Sequence, residues 1–510
     1  MRRFGLLALV VVCIAQAPAC KSPRRESVRA VLTTLRPPSP RAACGECLAE
    51  QSGVRVEAGT VDSNAITVDA TQRFQKIDGF GLAMTDSSAY LIDRIPNDRG
   101  QRDALMRKLF DVDDGIGISW MRMIIGASDF TPVKPPWYSY RPTPADPFDI
   151  GRPRTGSPEG DYSHIIPRLR QAEVLSKGRI TFFANPHSAP PWMKLNNVMS
   201  NFEPDSCILG YCKGAAGSED LRGAYVAYFV DFIKAYAAEG VPIDAIGVQN
   251  EPNSAADYPS GDFAPADQAD FVKRLKVGLA AQDPPLTQEV WAEATHPGDA
   301  PAIMAGAPDP AAIDGISYHC YGLSGPSLRA ALADVAALHE AYPDVGIHET
   351  ECTQDRAEHW AKTIDILIDH TRHWANSVAA WNVALDPEGG PHSTRCSVVR
   401  DGQCYDTNTG SIMTAPVVIS GPDGAATAKL TREYYELGHF TKFVRPGAVR
   451  VGSAELGRVK NVAFENVDGS KVLVVHNGRD APASFAVNID GDRHFDVVDL
   501  PRDAIATYTW

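Results

Sequence analysis

Ile246-Gly247-Val248-Gln249-Asn250-Glu251-Pro252 is an apolar run that stops abruptly on an amide, a carboxylate and a proline. Its upstream part, Pro242 to Val248, reads as a buried strand, so Asn250-Glu251-Pro252 falls where a strand gives way to a loop. The carboxyl ends of strands are where an α/β barrel collects its chemistry. A barrel enzyme then needs a partner acid at another strand end, and Val345-Gly346-Ile347-His348-Glu349-Thr350-Glu351-Cys352 supplies one.

Strand, loop and helix patterns alternate outward from this stretch. The first strand ends in Asp78-Gly79-Phe80-Gly81, and further strands are expected over 118–125, 180–184, 242–248, 289–294, 313–319, at the Glu351 segment and over 378–385. Helices are expected over 98–110, from Ser218 onward, over 266–280, 327–341 and 356–373. The helix after Ser218 carries Tyr225, Phe229, Phe232, Ile233 and Tyr236 at helical spacing. Eight such units imply a parallel sheet closed as a (β/α)8 TIM barrel, an α/β fold. Beyond a Gly/Pro-rich loop over 386–423 the helical pattern fades. Short runs broken by Asn477-Gly478 and Asp490-Gly491 read as hairpin strands of an appended β-sandwich.

The alternating run from Ala65 to Ala70 is expected to pair with the end of the chain. The layout is therefore a signal peptide over 1–20, a flexible linker over 21–53, strands joining the sandwich over 54–73, the barrel over 74–425 and the sandwich over 426–510.

The 510 residues are 44% hydrophobic and 22% charged, enough for one large domain and a smaller one. A net charge of −14 argues against a nucleic-acid partner. Arg2-Arg3, the apolar Leu6 to Ile14, and Ala17-Pro18-Ala19 form a secretory leader, too short to span a membrane as a helix. Cys20 directly after it is a candidate for acylation, which would anchor the chain to a membrane. The expected location is secreted, at the outer surface, or periplasmic. In that setting Cys207/Cys212 and Cys396/Cys404 are the preferred bridges, and Cys44-x-x-Cys47 reads as a linker disulfide or free thiols, since no second Cys/His pair completes a zinc site.

Two carboxylates at the ends of strands four and seven fit retaining glycoside hydrolysis. One protonates the leaving oxygen while the other attacks the anomeric carbon from roughly 5–5.5 Å away. Asn250 beside Glu251 can hold a sugar hydroxyl. Asn-Glu-Pro alone occurs by chance in many chains, but two acids in matching barrel positions do not need chance.

The residues here resemble glycoside hydrolase family 30, in its glucosylceramidase-like branch, from Phe74 to Trp510. The resemblance rests on Gly79-Phe80-Gly81 with Met84-Thr85-Asp86, Ser128-Asp129-Phe130, Pro190-Pro191-Trp192-Met193-Lys194, Asn250-Glu251-Pro252, Thr350-Glu351-Cys352, Trp381-Asn382-Val383-Ala384-Leu385, Pro387-Glu388-Gly389-Gly390-Pro391, Tyr434 to Phe443 and the closing Thr507-Tyr508-Thr509-Trp510. It implies a (β/α)8 barrel flanked by a β-sandwich, Glu251 as general acid/base and Glu351 as nucleophile. Asp129, Asn250, Trp381 and Asp386 match positions that hold the terminal sugar. Arg122 is implied to orient a catalytic carboxylate, with a structural ion pair as its alternative; core packing is the alternative for Trp381. His319 and Tyr321 match a His-aromatic-Tyr segment that places Tyr321 to donate to the nucleophile. Cys320 stands where those enzymes carry Trp, and His187, assigned to the substrate-binding set, stands where they carry a sugar-contacting Trp.

Glu349 and Glu351 point the same way on a strand. The family's Thr/Ser-Glu pattern selects Glu351 and leaves Glu349 as a supporting or solvated acid. The acid/base is expected to stay protonated near neutral pH, helped by the neighbouring carboxylate. A β-glucoside is the expected substrate, glucosylceramide-like first and β-1,6-glucan second. The alternative of another class is a non-catalytic glycan-binding homologue, which would have no chemical need for both acids. No cofactor is implied, and the histidines near the strand ends read as pocket wall, not as a metal set.

Overall fold

A computed structural model describes residues 27–34, 44–132, 137–200, 218–252, 254, 256, 258–307, 309–323, 325–353, 362–392, 398–400, 403–405 and 413–510. Eight strands close a parallel barrel: β1 (Gly79–Ala83), β2 (Trp120–Ile124), β3 (Thr181–Asn185), β4 (Ala245–Gly247), β5 (Glu289–Ala294), β6 (Gly315–His319), β7 (Gly346–Glu351) and β8 (Ser377–Asn382). Helices lie outside it, among them Ser218–Ala238, Pro265–Ala280, Gly325–Ala341 and Thr363–Arg372. Their apolar faces cover strands that are buried on both sides, which is why β1 and β2 read as continuous buried runs and not as alternating ones. A Cβ at Gly81 would overlap the Trp120 carbonyl, so only glycine lets β1 and β2 come this close.

Inside the barrel, Trp120, Phe183, Ala245, Trp291 and Ala379 form an apolar layer. Phe183 and Trp291 stack at 4.7 Å between centroids, and Trp291 stacks on His348 at 3.7 Å. This layer plugs the barrel below the carboxyl ends of the strands. Polar side chains nearer those ends, at Arg122, Asn185, Glu293, His319 and Glu351, sit on top of it.

The second unit is one curled sheet, antiparallel but for one pairing. Its hinge is the twelve-residue strand Ala65–Lys76, whose start pairs in parallel with Ala483–Ile489 while its remainder pairs with Val449–Ser453. The two halves fold over a core that includes Val68, Leu473, Phe485, Phe495 and Tyr508.

Three expectations are corrected. The segment read as a flexible linker contains the strand Ser27–Thr33, and it is this strand that pairs with the closing strand Ile505–Thr509. Val28 and Ala30 face the sheet core on either side of exposed Arg29, an alternation masked by the Arg- and Pro-rich composition around it. Consequently Ala65–Lys76 pairs with C-terminal strands other than the last. Third, helical pattern does not end at 423. Arg432–Thr441 is a helix that packs Phe440 edge-on against Phe80 at 4.9 Å, so it belongs to the barrel wall, and the sandwich strands resume at Val449.

A disulfide joins Cys44 and Cys47. The pairs Cys207/Cys212 and Cys396/Cys404, together with the leader and Cys20, lie outside the described residues, except for the backbone at Cys404.

Candidate active site

Arg122 organises the site from the middle of β2. Its side chain is wholly buried and spends its donors on three elements. Nε donates to Asn185 Oδ1 at 3.0 Å, one Nη to Glu351 Oε2 at 2.5 Å, and the other to Asn250 Oδ1. Its guanidinium also lies 4.9 Å over the Trp381 ring. A rigid fork with five donors can hold three acceptors in fixed directions, which a lysine cannot.

Glu351 is the last residue of β7, and Tyr321 donates to its Oε1 at 2.9 Å. Glu251 lies just past β4 with its backbone in the left-handed region, φ +41°. Its Oε1 is 2.8 Å from His319 Nδ1 and its Oε2 accepts from Tyr258 at 3.1 Å. The other face of the same imidazole, Nε2, is 3.9 Å from Glu351 Oε2 and 3.6 Å from Glu293 Oε1. One histidine thus stands among three carboxylates.

That crowding sets the protonation states. Burial lowers His319, but Glu351, Glu293 and Glu251 outweigh it and push the imidazole up to about 9. Burial raises Glu251, and the hydrogen bond and charge of His319, with Tyr258 and Arg122, more than offset it, so the carboxyl ends below its usual value. The expectation that a neighbouring carboxylate holds Glu251 protonated is therefore corrected: a cationic imidazole in hydrogen-bond contact outweighs a carboxylate farther away. Asp129, which follows β2, is pushed well up by burial and by the charges of Glu351 and Glu251.

His187 stacks on Trp381 at 5.5 Å. It is buried, and neither ring nitrogen has a hydrogen-bond partner among the described residues. Burial, then Arg122 and His319, hold this imidazole well below its usual value, so it is neutral. Trp381 itself is buried against Phe130 on its edge. Asp386 is the sequence-selected residue that the structure leaves outside this cluster. Its Oδ1 caps its own loop, accepting from the backbone of Glu388 at 3.0 Å and Gly390 at 2.7 Å.

Glu349 is buried, not solvated. Its oxygens accept from the backbone of Glu351 at 3.0 Å and Ala379 at 3.2 Å, and burial pushes it up to about 8. It braces the backbone at the end of β7 and the neighbouring β8 from below Glu351.

Sequence reasoning missed three contributors. Glu293 and Tyr258 carry no motif, and only their contacts reveal them. Cys320 and Cys352 form a disulfide joining the residue between His319 and Tyr321 to the residue after Glu351. Both cysteines stand beside selected residues, and that adjacency at two neighbouring strand ends was the available signal.

The model of the glycosyl hydrolase family 30 TIM-barrel domain matches residues 77–444, and that of the family's beta-sandwich domain matches 447–508. The chain is 28% identical to the lysosomal acid glucosylceramidase of Mus musculus over 98% of its own length and 93% of that protein's. It is also 28% identical to the endo-1,6-beta-D-glucanase neg1 of Aspergillus fumigatus, over 82% of each chain. Among solved structures it is similar to the endo-beta1,6-glucanase BT3312, with a TM-score of 0.72 and 25% identity over 95% of this chain and 99% of that one. SrfJ from Salmonella typhimurium shares the fold at a TM-score of 0.77, with 22% identity over 95% of this chain and 99% of that one. A family-specific barrel and a family-specific sandwich in tandem, around two strand-end carboxylates, place this chain in family 30 of the glycoside hydrolases.

Proposed function

We propose that the chain is a retaining β-glycosidase that opens a β-glucosidic bond by double displacement, with Glu351 as nucleophile and Glu251 as acid/base. The observation that carries this is the convergence of both carboxyls on one imidazole, at 2.8 Å and 3.9 Å from its two nitrogens. Arg122 and Tyr321 fix the two oxygens of Glu351, aiming the carboxylate at an anomeric carbon above it. Glu251 protonates the leaving oxygen, and a glycosyl ester forms on Glu351. Glu251 then takes a proton from water, which releases the sugar and restores the carboxylate.

In this reading Asn250, Asp129, His187 and Trp381 wall the sugar position, and Asp386 offers Oδ2 from the rim. A neutral imidazole whose two nitrogens have no partner among the described residues suits a sugar hydroxyl, which can both give and accept a hydrogen bond.

A glucosylceramide-like β-glucoside is the first substrate reading, supported by the glucosylceramidase relative that spans 98% of the chain. β-1,6-Glucan is the second, supported by the relatives and the solved structure named for that activity. The leader-like first twenty residues support export, with acylation at Cys20 as the route to a membrane anchor; the mass of the mature amino terminus tests both.

Intact-protein mass after incubation with a 2-fluoro β-glucoside bearing a good leaving group, followed by peptide mapping, tests the mechanism. The expected result is one glycosyl adduct on Glu351. A folded protein that gains no adduct and cleaves no β-glucoside overturns the reading. Turnover of a lipid-linked glucoside against a β-1,6-linked oligosaccharide then separates the two substrates.

A further inference from the structure

Glu293, on β5, is a third carboxylate in the cluster, and no step of the reaction above uses it. It is wholly buried. Oε2 accepts from Asn185 Nδ2 at 2.9 Å and Ser317 Oγ at 3.1 Å. Oε1 accepts the backbone N–H of Glu251 at 2.7 Å and lies 3.6 Å from His319 Nε2. A buried carboxylate with this many neighbours is costly to keep unless those neighbours need it.

Two of them do. Glu251 holds a left-handed backbone that side chains disfavour, and Glu293 accepts a charge-assisted hydrogen bond from its amide there. His319 meets Glu251 at Nδ1, and on its other side it faces Glu293 and Glu351, with Arg122 at 3.4 Å. Glu349 on β7 and His187 after β3 also lie within its electrostatic reach. The cation nearby, Arg122, opposes a proton on the ring, and His187 is neutral; Glu293 is a negative charge that favours one and does not itself enter the chemistry.

We propose that Glu293 is a positioning residue for the acid/base: its carboxylate holds the Glu251 amide in the turn and keeps one proton on the His319–Glu251 pair. This rests on the retaining-glycosidase reading. The pair's proton moves between Nδ1 and the Glu251 carboxyl, so the resting ion pair and the neutral acid with neutral imidazole hold the same number of protons. In the first step the pair gives that proton to the leaving oxygen as Glu351 loses its charge to the glycosyl ester. In the second, water's proton returns to the pair as Glu351 regains its charge. The alkaline limit of turnover is then set by loss of the pair's proton, and His319 becomes the reservoir from which Glu251 draws.

Two variants separate the two roles. Glu293→Gln keeps an oxygen for the Glu251 amide and removes the charge. Glu293→Asp keeps the charge and withdraws it from the amide. With aryl β-glucosides, Glu293→Gln is expected to move the alkaline limb of kcat/KM down by about one pH unit and to cut kcat roughly tenfold near neutral pH, more for phenyl than for dinitrophenyl leaving groups. Glu293→Asp is expected to lose kcat with the limb in place and KM little changed. NMR titration of the His319 imidazole reads the same displacement without turnover: the parent is expected to titrate near 9, and Glu293→Gln lower. A folded Glu293→Gln protein whose His319 titration is unmoved overturns the proposal, as does a limb that does not shift. A parent that cleaves no β-glucoside but shows the His319 displacement overturns the catalytic reading and leaves the charge relationship standing.

Discussion

Arg122 and Glu351 form an ion pair at 2.5 Å across the barrel interior, from β2 to the end of β7, with the Arg122 side chain wholly withdrawn from solvent. A buried charge of this kind is tolerable only while every partner stays in place. The same guanidinium reaches Asn185 and Asn250, so it ties both acid-bearing strand ends to one rigid group.

Arg122→Lys is therefore expected to act on the chemistry and Arg122→Ala on the fold. Lysine keeps the charge but has no fork, so it can satisfy Glu351 or Asn250 and not both. Its kcat/KM for an aryl β-glucoside should fall on the order of 100-fold with thermal stability largely kept. Alanine leaves Glu351 buried without its partner and should cost about 3–5 kcal/mol in denaturant unfolding. Near-parental turnover in the lysine variant would make Arg122 a structural ion pair only.

The two acids should fail differently. Glu351→Gln is expected to abolish turnover of every β-glucoside. Glu251→Gln should lose about 10²–10⁴ in rate with a phenyl leaving group and far less with dinitrophenyl, which departs without a proton. Glu349→Gln should still take its glycosyl label on Glu351. A label that instead requires Glu349 would reverse the assignment, since both residues point the same way along the strand.

Much of this was legible because barrel chemistry is periodic. Eight strand signals pointed to closure, and the carboxylates sit where the strands end, so Glu251 and Glu351 could be chosen by position, while Arg122, His319 and Tyr321 were implied by the resemblance to family 30 before any contact was known. What was not legible depends on distances between elements far apart in sequence. Glu293 looks like any strand residue until its oxygen meets the Glu251 amide 42 positions away. The pull of His319 on Glu251 likewise needs the 2.8 Å contact, which no pattern encodes. Ser27–Thr33 was hidden for another reason. Its apolar run is short, and much of its pairing is with Ile505–Thr509 at the other end of the chain.

Alkaline pH should weaken the fold through His319 and Glu349. The folded state raises both groups, His319 from 6.5 to about 9 and Glu349 from 4.5 to about 8. Each therefore binds its proton more tightly folded than unfolded. The stability linked to His319 is fully present below about pH 6.5 and lost as pH rises through about 9; that linked to Glu349 is lost between about 4.5 and 8. Stability should thus decline from mildly acid to alkaline pH, by on the order of 3 kcal/mol for His319. A His319→Gln variant should show a shallower decline. Equal slopes in the two proteins would mean that the imidazole carries no extra proton when folded.

The Cys320–Cys352 disulfide should be measurable as a constraint on the site itself. It links the ends of β6 and β7 immediately beside Tyr321 and Glu351, whose 2.9 Å hydrogen bond spans the same two strands. Parallel strands already fix the register up to Glu351, so the fold does not require this bond. The loop end carrying Tyr321 lies beyond the last paired residue of β6, and there the disulfide is the covalent tie. Replacing both cysteines with serine should leave the unfolding transition cooperative and lower kcat several-fold, with Tyr321→Phe giving a comparable loss. If the disulfide acts through Tyr321, adding the serine changes to Tyr321→Phe should cost little more, because the hydrogen bond they would loosen is already gone. Fully additive losses would show that the bond serves Glu351 by another route. Alkylation of both thiols in the denatured, unreduced protein would show that no such bond forms.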